Sequence, residues 1–175
     1  RRISMGERKY TFLKFFAYVI EIIIFYILEG VPNLFPEVLQ GKPLFLLPIA
    51  LSIGFFEKEI TAMIYGIVCG SLIDFGVTSH FGFYTFSLAI LCFFIGYIVE
   101  NFFNLSLVFF LIVSVIAVPV LISLNFVFTY IVLGYSDYIT YYVNHIVPIM
   151  IYTFIVSPIF YGINKVVHNK FGVVK

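Results

Sequence analysis

The sequence predicts an all-α fold, a polytopic membrane bundle of six transmembrane helices. Three observations predict it. First, 62% of the 175 residues are hydrophobic and 11% are charged, against about 25% charged in an average soluble domain. That leaves too little polar surface to coat a water-exposed globule, and the mean hydropathy of +1.11 agrees. Second, the apolar runs are too many and too long for one soluble core. Third, the aqueous loops between them are short. Helices follow, because lipid offers no hydrogen bonds to an open backbone. A barrel would need apolar and polar residues alternating with period two, and that pattern is absent. The net charge of +1 gives no case for a nucleic-acid partner.

The first segment, 11–29, is "TFLKFFAYVIEIIIFYILE". It follows the charged start "RRISMGERKY", and no small-residue cleavage site comes after it, so it is expected to stay as an anchor. The second, 43–56, would span about 21 Å as a helix, short for a hydrocarbon core of about 30 Å. It either extends into the "EKE" turn or sits partly buried among its neighbours. The third is 60–75 and the fourth 84–99. The fifth, 105–133, would be about 43 Å long, so it must tilt, kink or emerge from the bilayer, and Pro119 supplies a kink. The sixth is 146–163.

With six spans, Arg1, Arg2, Arg8, Lys9, Lys14, Lys58, Lys165, Lys170 and Lys175 all fall on one side, and Lys42 alone on the other. The positive-inside rule then places both termini in the cytoplasm. Residues 1–10 read as a cytoplasmic N-terminal segment, 11–165 as the transmembrane domain and 166–175 as a cytoplasmic tail. The "NLS" sequon at 104–106 falls on the cytoplasmic side and is discarded.

The third segment carries the most informative pattern. Ala62, Gly66, Gly70 and Asp74 sit four apart and trace one helix face. Small residues there let a neighbouring backbone approach, a main driver of helix association in lipid. Asp74 lies near the outer end, where a carboxylate in an apolar zone costs roughly 3 kcal/mol or more at the centre and less at the interface. It either accepts hydrogen bonds from backbone amides of the following loop or helix start, or contacts a partner subunit or solute. Glu21 sits mid-helix in the first segment among isoleucines. It is either a neutral glutamate bonded to Asn125 or a tyrosine, or half of an ion pair with a partner; an intramembrane acid is a functional candidate by default.

His80 and Gly82 lie in the outer loop after Asp74. His80, His145, Asp74 and Asp137 share the outer side, yet their spacings fit no metal-ligand motif, so no metal site is predicted. Cys69 and Cys92 fall inside apolar segments and read as small buried hydrophobes. There is no nucleophile elbow, no HExxH and no phosphate loop, so neither a catalytic residue nor a cofactor is predicted.

The stretch from Gly41 to Ile98 resembles the MreD family of rod shape-determining membrane proteins. The resemblance rests on Pro43, the acidic turn "FEKE", the order Gly66, Gly70, Asp74, and Gly82 shortly after. "YIVLGYSDYITYY" and "SPIFYGI" are similar too, and the likeness covers about residues 15–165. It implies a non-enzymatic subunit of the bacterial inner membrane. The partners implied are an MreC-like protein, a RodA-like polymerase, a class B penicillin-binding protein and an MreB-like actin, which together insert side-wall peptidoglycan. It also implies a fold similar to the S components of energy-coupling-factor vitamin transporters. A vitamin-binding S component is therefore the rival reading, although its first helix would carry small-residue pairs where this one has only Ala17.

Overall fold

The computed structural model describes residues 5–31, 44–76, 82–102, 105–131 and 138–171. Among them the protein is almost entirely helical, with no strand. The helices are α1 (Met5–Gly30), α2 (Leu46–Phe56), α3 (Glu59–Gly76), α4 (Phe83–Phe102), α5 (Leu107–Phe126), a single turn α6 (Tyr138–Tyr141) and α7 (Val147–Phe171). Helices α1–α5 and α7 form one bundle. Four helical stretches are long and apolar enough to cross a membrane: Glu59–Gly76, Phe83–Asn101, Leu107–Thr129 and Ile139–Phe171. The protein is therefore an integral membrane protein. The length of α1 would also suffice, at about 39 Å, but Lys14, Glu21 and Glu29 interrupt its apolar run. Each of these three has a partner inside the bundle.

The short second segment is the centre of the molecule. α2 is about 16 Å long, and all of its residues from Leu46 to Phe56 are buried. It touches α1, α3, α4, α5 and α7. A helix hydrophobic on every side is one enclosed on every side. The shortness of α2 therefore costs it nothing in lipid contact. Glu57, in extended conformation, ends α2, and α3 starts two residues later. Aromatic rings fill the two ends of the core. Phe25, Phe45 and Phe160 meet at the start of α2. Phe55, Phe56, Phe110 and Tyr161 meet at its end.

The fifth segment keeps its expected extent but changes helix type along its length, and the sixth runs longer than the hydropathy reading. α5 continues beyond Phe126 as a π-helical turn, Val127–Ile131, and a second such turn, Tyr142–Ile146, leads into α7. α7 runs past residue 163 to Phe171. Asn164, Lys165 and His168 end the apolar run but not the helix, because Asn164 is fully buried against other polar groups. Pro119 and Pro158 both lie inside helices.

Candidate functional site

The antiparallel pair α3–α4 is the tightest packing in the bundle. Ala62, Gly66 and Gly70 all face α4. A Cβ on Gly70 would stand 2.5 Å from Thr85 Cα and 2.6 Å from the Tyr84 carbonyl oxygen. One on Gly66 would stand 2.6 Å from the Leu88 carbonyl oxygen. Real side-chain carbons do not approach backbone so closely, so only glycine fits at either position. α4 contributes its own glycine. A Cβ on Gly96 would lie 2.9 Å from Glu59 Cα and 3.2 Å from Ala62 Cβ. Sequence reading missed Gly96, because its role depends on its place opposite the start of α3 in the antiparallel pair.

The acid at the end of the stripe now has a local explanation. Close approach carries the last turn of α3 onto the first turn of α4. Asp74 is 2% exposed, and its carboxylate accepts from Gly82 N at 3.1 Å, Tyr84 N at 3.0 Å and Thr85 N at 2.9 Å. The Thr85 hydroxyl donates to it at 2.7 Å. The first amides of a helix have no partner within that helix, and the positive end of the helix dipole favours an anion. Gly82 adopts φ +100°, a region glycine enters without strain. That turn aims its amide at Asp74, while its carbonyl accepts from Phe86 N at 3.0 Å. His80 lies outside the described residues.

The same device recurs at the start of α2. Glu29, on the last turn of α1, accepts from Phe45 N at 3.2 Å. Thr153 Oγ1 accepts from Leu44 N at 3.2 Å. Beside Glu29, the ends of α1 and α3 and the start of α2 line a half-open cavity of about 360 Å³. Its lining includes Tyr26, Glu29, Leu46, Leu72 and Ile73.

Glu21 is not bonded to Asn125 or to a tyrosine, as its sequence context suggested. α1 packs against α7, and Asn164 Nδ2 donates to Glu21 Oε1 at 3.3 Å and to Ser52 Oγ at 3.0 Å. Ser52 in turn donates to the Phe160 carbonyl at 3.1 Å. Asn164 escaped notice because it lies just past the apolar run, and Ser52 because serine is unremarkable in a helix. Nearer the start of α1, Lys14 pairs with Glu57 at 2.7 Å, and the Tyr18 hydroxyl donates to Glu57 at 3.0 Å. In the α2–α3 turn, Lys58 bonds Glu100 at 3.0 Å. The hydrogen bond and charge of Glu100 raise the Lys58 ammonium above the ordinary lysine range. Cys92 donates to the Ala50 carbonyl at 3.4 Å, and both cysteines are free and buried. Among the described residues, no group of three His, Cys, Asp or Glu side chains is placed to hold a metal.

These features define a polytopic helical membrane protein in which Glu29 and Asp74 close helix starts while Glu21 and Glu57 pair inside the bundle. The chain belongs to the MreD family: the family described as rod shape-determining protein MreD matches residues 9–167. The family places it in the rod shape-determining system. No curated protein and no solved structure matches the chain, so similarity to the S-component fold stays an implication of the family alone.

Proposed function

We propose that this protein is a non-enzymatic subunit of the cell-elongation complex in the bacterial cytoplasmic membrane. It scaffolds an MreC-like partner together with a RodA-like polymerase, a class B penicillin-binding protein and an MreB-like actin. The observation that carries this reading is the family match across 9–167. The architecture supports it. Glycine contacts and buried hydrogen bonds fix the bundle, which suits a rigid part that acts by contact. The distribution of cations supports cytoplasmic termini. In this reading Ala62, Gly66 and Gly70 are the packing seam, while Asp74 and Gly82 shape the outer end that a partner meets. His80 falls in the same outer loop.

The test is depletion in a rod-shaped host. Loss of the protein should round the cells, and wild-type protein should restore rods and copurify with the MreC-like partner. Rods that persist after depletion would refute the role. The cavity beside Glu29 favours a second reading, a vitamin-binding S component. Its volume lies within the range of about 300–1,000 Å³ for small-molecule sites, but its lining offers few polar groups to orient a vitamin. A vitamin copurifying at one per chain would decide for that reading.

A further inference from the structure

Glu21, Asn164 and Ser52 leave an unusual remainder. Glu21 is 7% exposed, and Asn164 and Ser52 are fully buried. Two atoms of the group, Glu21 Oε2 and Asn164 Oδ1, have no hydrogen-bond partner among the described residues. Unpartnered buried polar atoms are rare and call for an explanation.

Hydrogen-bond logic supplies one. Ser52 has a single hydroxyl hydrogen, and the Phe160 carbonyl receives it. Ser52 Oγ can therefore only accept from Asn164, so the amide atom facing it is the nitrogen. The second hydrogen of that nitrogen goes to Glu21 Oε1. Asn164 Oδ1 is then left needing a donor, and Glu21 Oε2 lacks a partner. One hydrogen on Oε2 would remove the charge of Glu21 and give it a donor to offer. Directed to Oδ1, it would complete a cyclic acid–amide pair with the N–H to Oε1.

We propose that Glu21 and Asn164 form a proton-binding site in the bundle interior, holding one proton as a clasp between α1 and α7. Among the described residues, no cation pairs with Glu21. Lys14, a cation earlier on α1, is held by Glu57. The other buried or half-buried titratable groups on the helices packed around it are Tyr18 and Glu29 on α1, Glu57 just past α2, Glu59, Tyr65, Cys69 and Asp74 on α3, and Tyr152, Tyr161 and His168 on α7. None pairs with Glu21 among the described residues. An ionised carboxylate with one neutral donor in an apolar bundle is heavily penalised. Binding is simple protonation: the carboxylate takes a proton from water and becomes the acid.

The sign of the pH effect follows. Above about pH 4.3, the ordinary glutamate value, an unfolded chain has released this proton while the folded one keeps it. Stability then falls as pH rises, by up to about tenfold in the unfolding constant per pH unit. The decline stops once the folded protein also releases the proton. The full-length protein in mixed micelles is unfolded by SDS at several pH values, and its infrared spectrum is recorded in parallel. Wild type should show a protonated-carboxyl band that Glu21→Gln lacks. Glu21→Gln should fold and lose that part of the pH slope, because two amides form the same ring without titrating. Asn164→Leu should shift the band toward that of a free acid. Identical slopes in wild type and Glu21→Gln, no band change, or failure of Glu21→Gln to fold would each overturn the proposal. So would a sodium-dependent gain in stability abolished by Glu21→Gln, which would assign the two oxygens to a cation.

Discussion

Gly70→Ala adds one methyl group at the tightest point of the bundle. That carbon would arrive 2.5 Å from Thr85 Cα, 2.6 Å from the Tyr84 carbonyl oxygen and 2.7 Å from Thr85 N. Ordinary carbon contacts are about 3.5–4.0 Å, so the helices must separate by about 1 Å. All three atoms are backbone, and no side chain can rotate away. Overpacking of this kind costs about 1–3 kcal/mol. Separation also stretches the hydrogen bonds from Tyr84 N and Thr85 N to Asp74, which adds to the loss. Helix propensity works the other way, since alanine is favoured over glycine by about 1 kcal/mol. The net expectation is a loss of about 1–3 kcal/mol. Gly162→Ala is the control: it lies inside α7, and a Cβ there meets nothing within 4 Å. Propensity alone acts at that site, so the variant should equal wild type or exceed it slightly. The assay is SDS-induced unfolding of the purified protein, with maleimide labelling of Cys69 and Cys92 under native conditions. Both thiols are fully buried along this seam, so they label only if it opens. If Gly70→Ala matches Gly162→Ala in stability and its cysteines stay protected, the seam argument is wrong.

Three further outcomes follow from the same geometry. Gly66→Leu and Gly70→Leu should abolish stable accumulation in membranes, whereas Asp74→Asn, which keeps one acceptor oxygen, should weaken it less; immunoblots of membrane fractions rank the three. Asp74→Ala removes every acceptor at the start of α4 and should cost at least the roughly 0.5–2 kcal/mol of a lost helix cap, read by SDS unfolding. Lys14→Met strands the buried Glu57 carboxylate and should cost about 3–5 kcal/mol, while the double variant Lys14→Met/Glu57→Gln should recover most of it in a double-mutant cycle.

The fold class was legible because composition alone excludes a soluble globule, and the helical segments followed from the apolar runs. The α3 stripe was legible because a period of four is visible within one segment. What escaped were relations between segments. Gly96 makes sense only once α4 is laid antiparallel to α3. Asn164 and Ser52 are ordinary letters until α2 is enclosed and α7 is placed beside α1. Asn125 was the wrong partner for Glu21 because hydropathy cannot say which helix lies next to which. The end of α7 was cut short for a related reason: polar residues lower hydropathy even where they are buried against one another.

The placement of polar groups suggests how one arrangement of helices is selected. In lipid an apolar side chain gains little by turning inward, since the surroundings are as oily as the core. Large hydrophobics such as Phe12, Val108 and Val166 accordingly remain on the outside. Register must come from contacts that lipid cannot imitate, and these fall in tiers. Glu29 and Asp74 close the starts of α2 and α4. Deeper in the bundle, Asn164 ties α1 to α2 and α7. Toward the other end of α1, Glu57 holds Lys14 and Tyr18. Every tier includes an acid; the first joins consecutive helices, and the other two join residues far apart in sequence. Sliding α1 by one turn along the bundle would move it about 5.4 Å and break its bonds in all three tiers in which it takes part, at Glu29, Glu21 and Lys14, while changing its apolar contacts little. The polar residues that lower the hydropathy of α1 are therefore what fix its position.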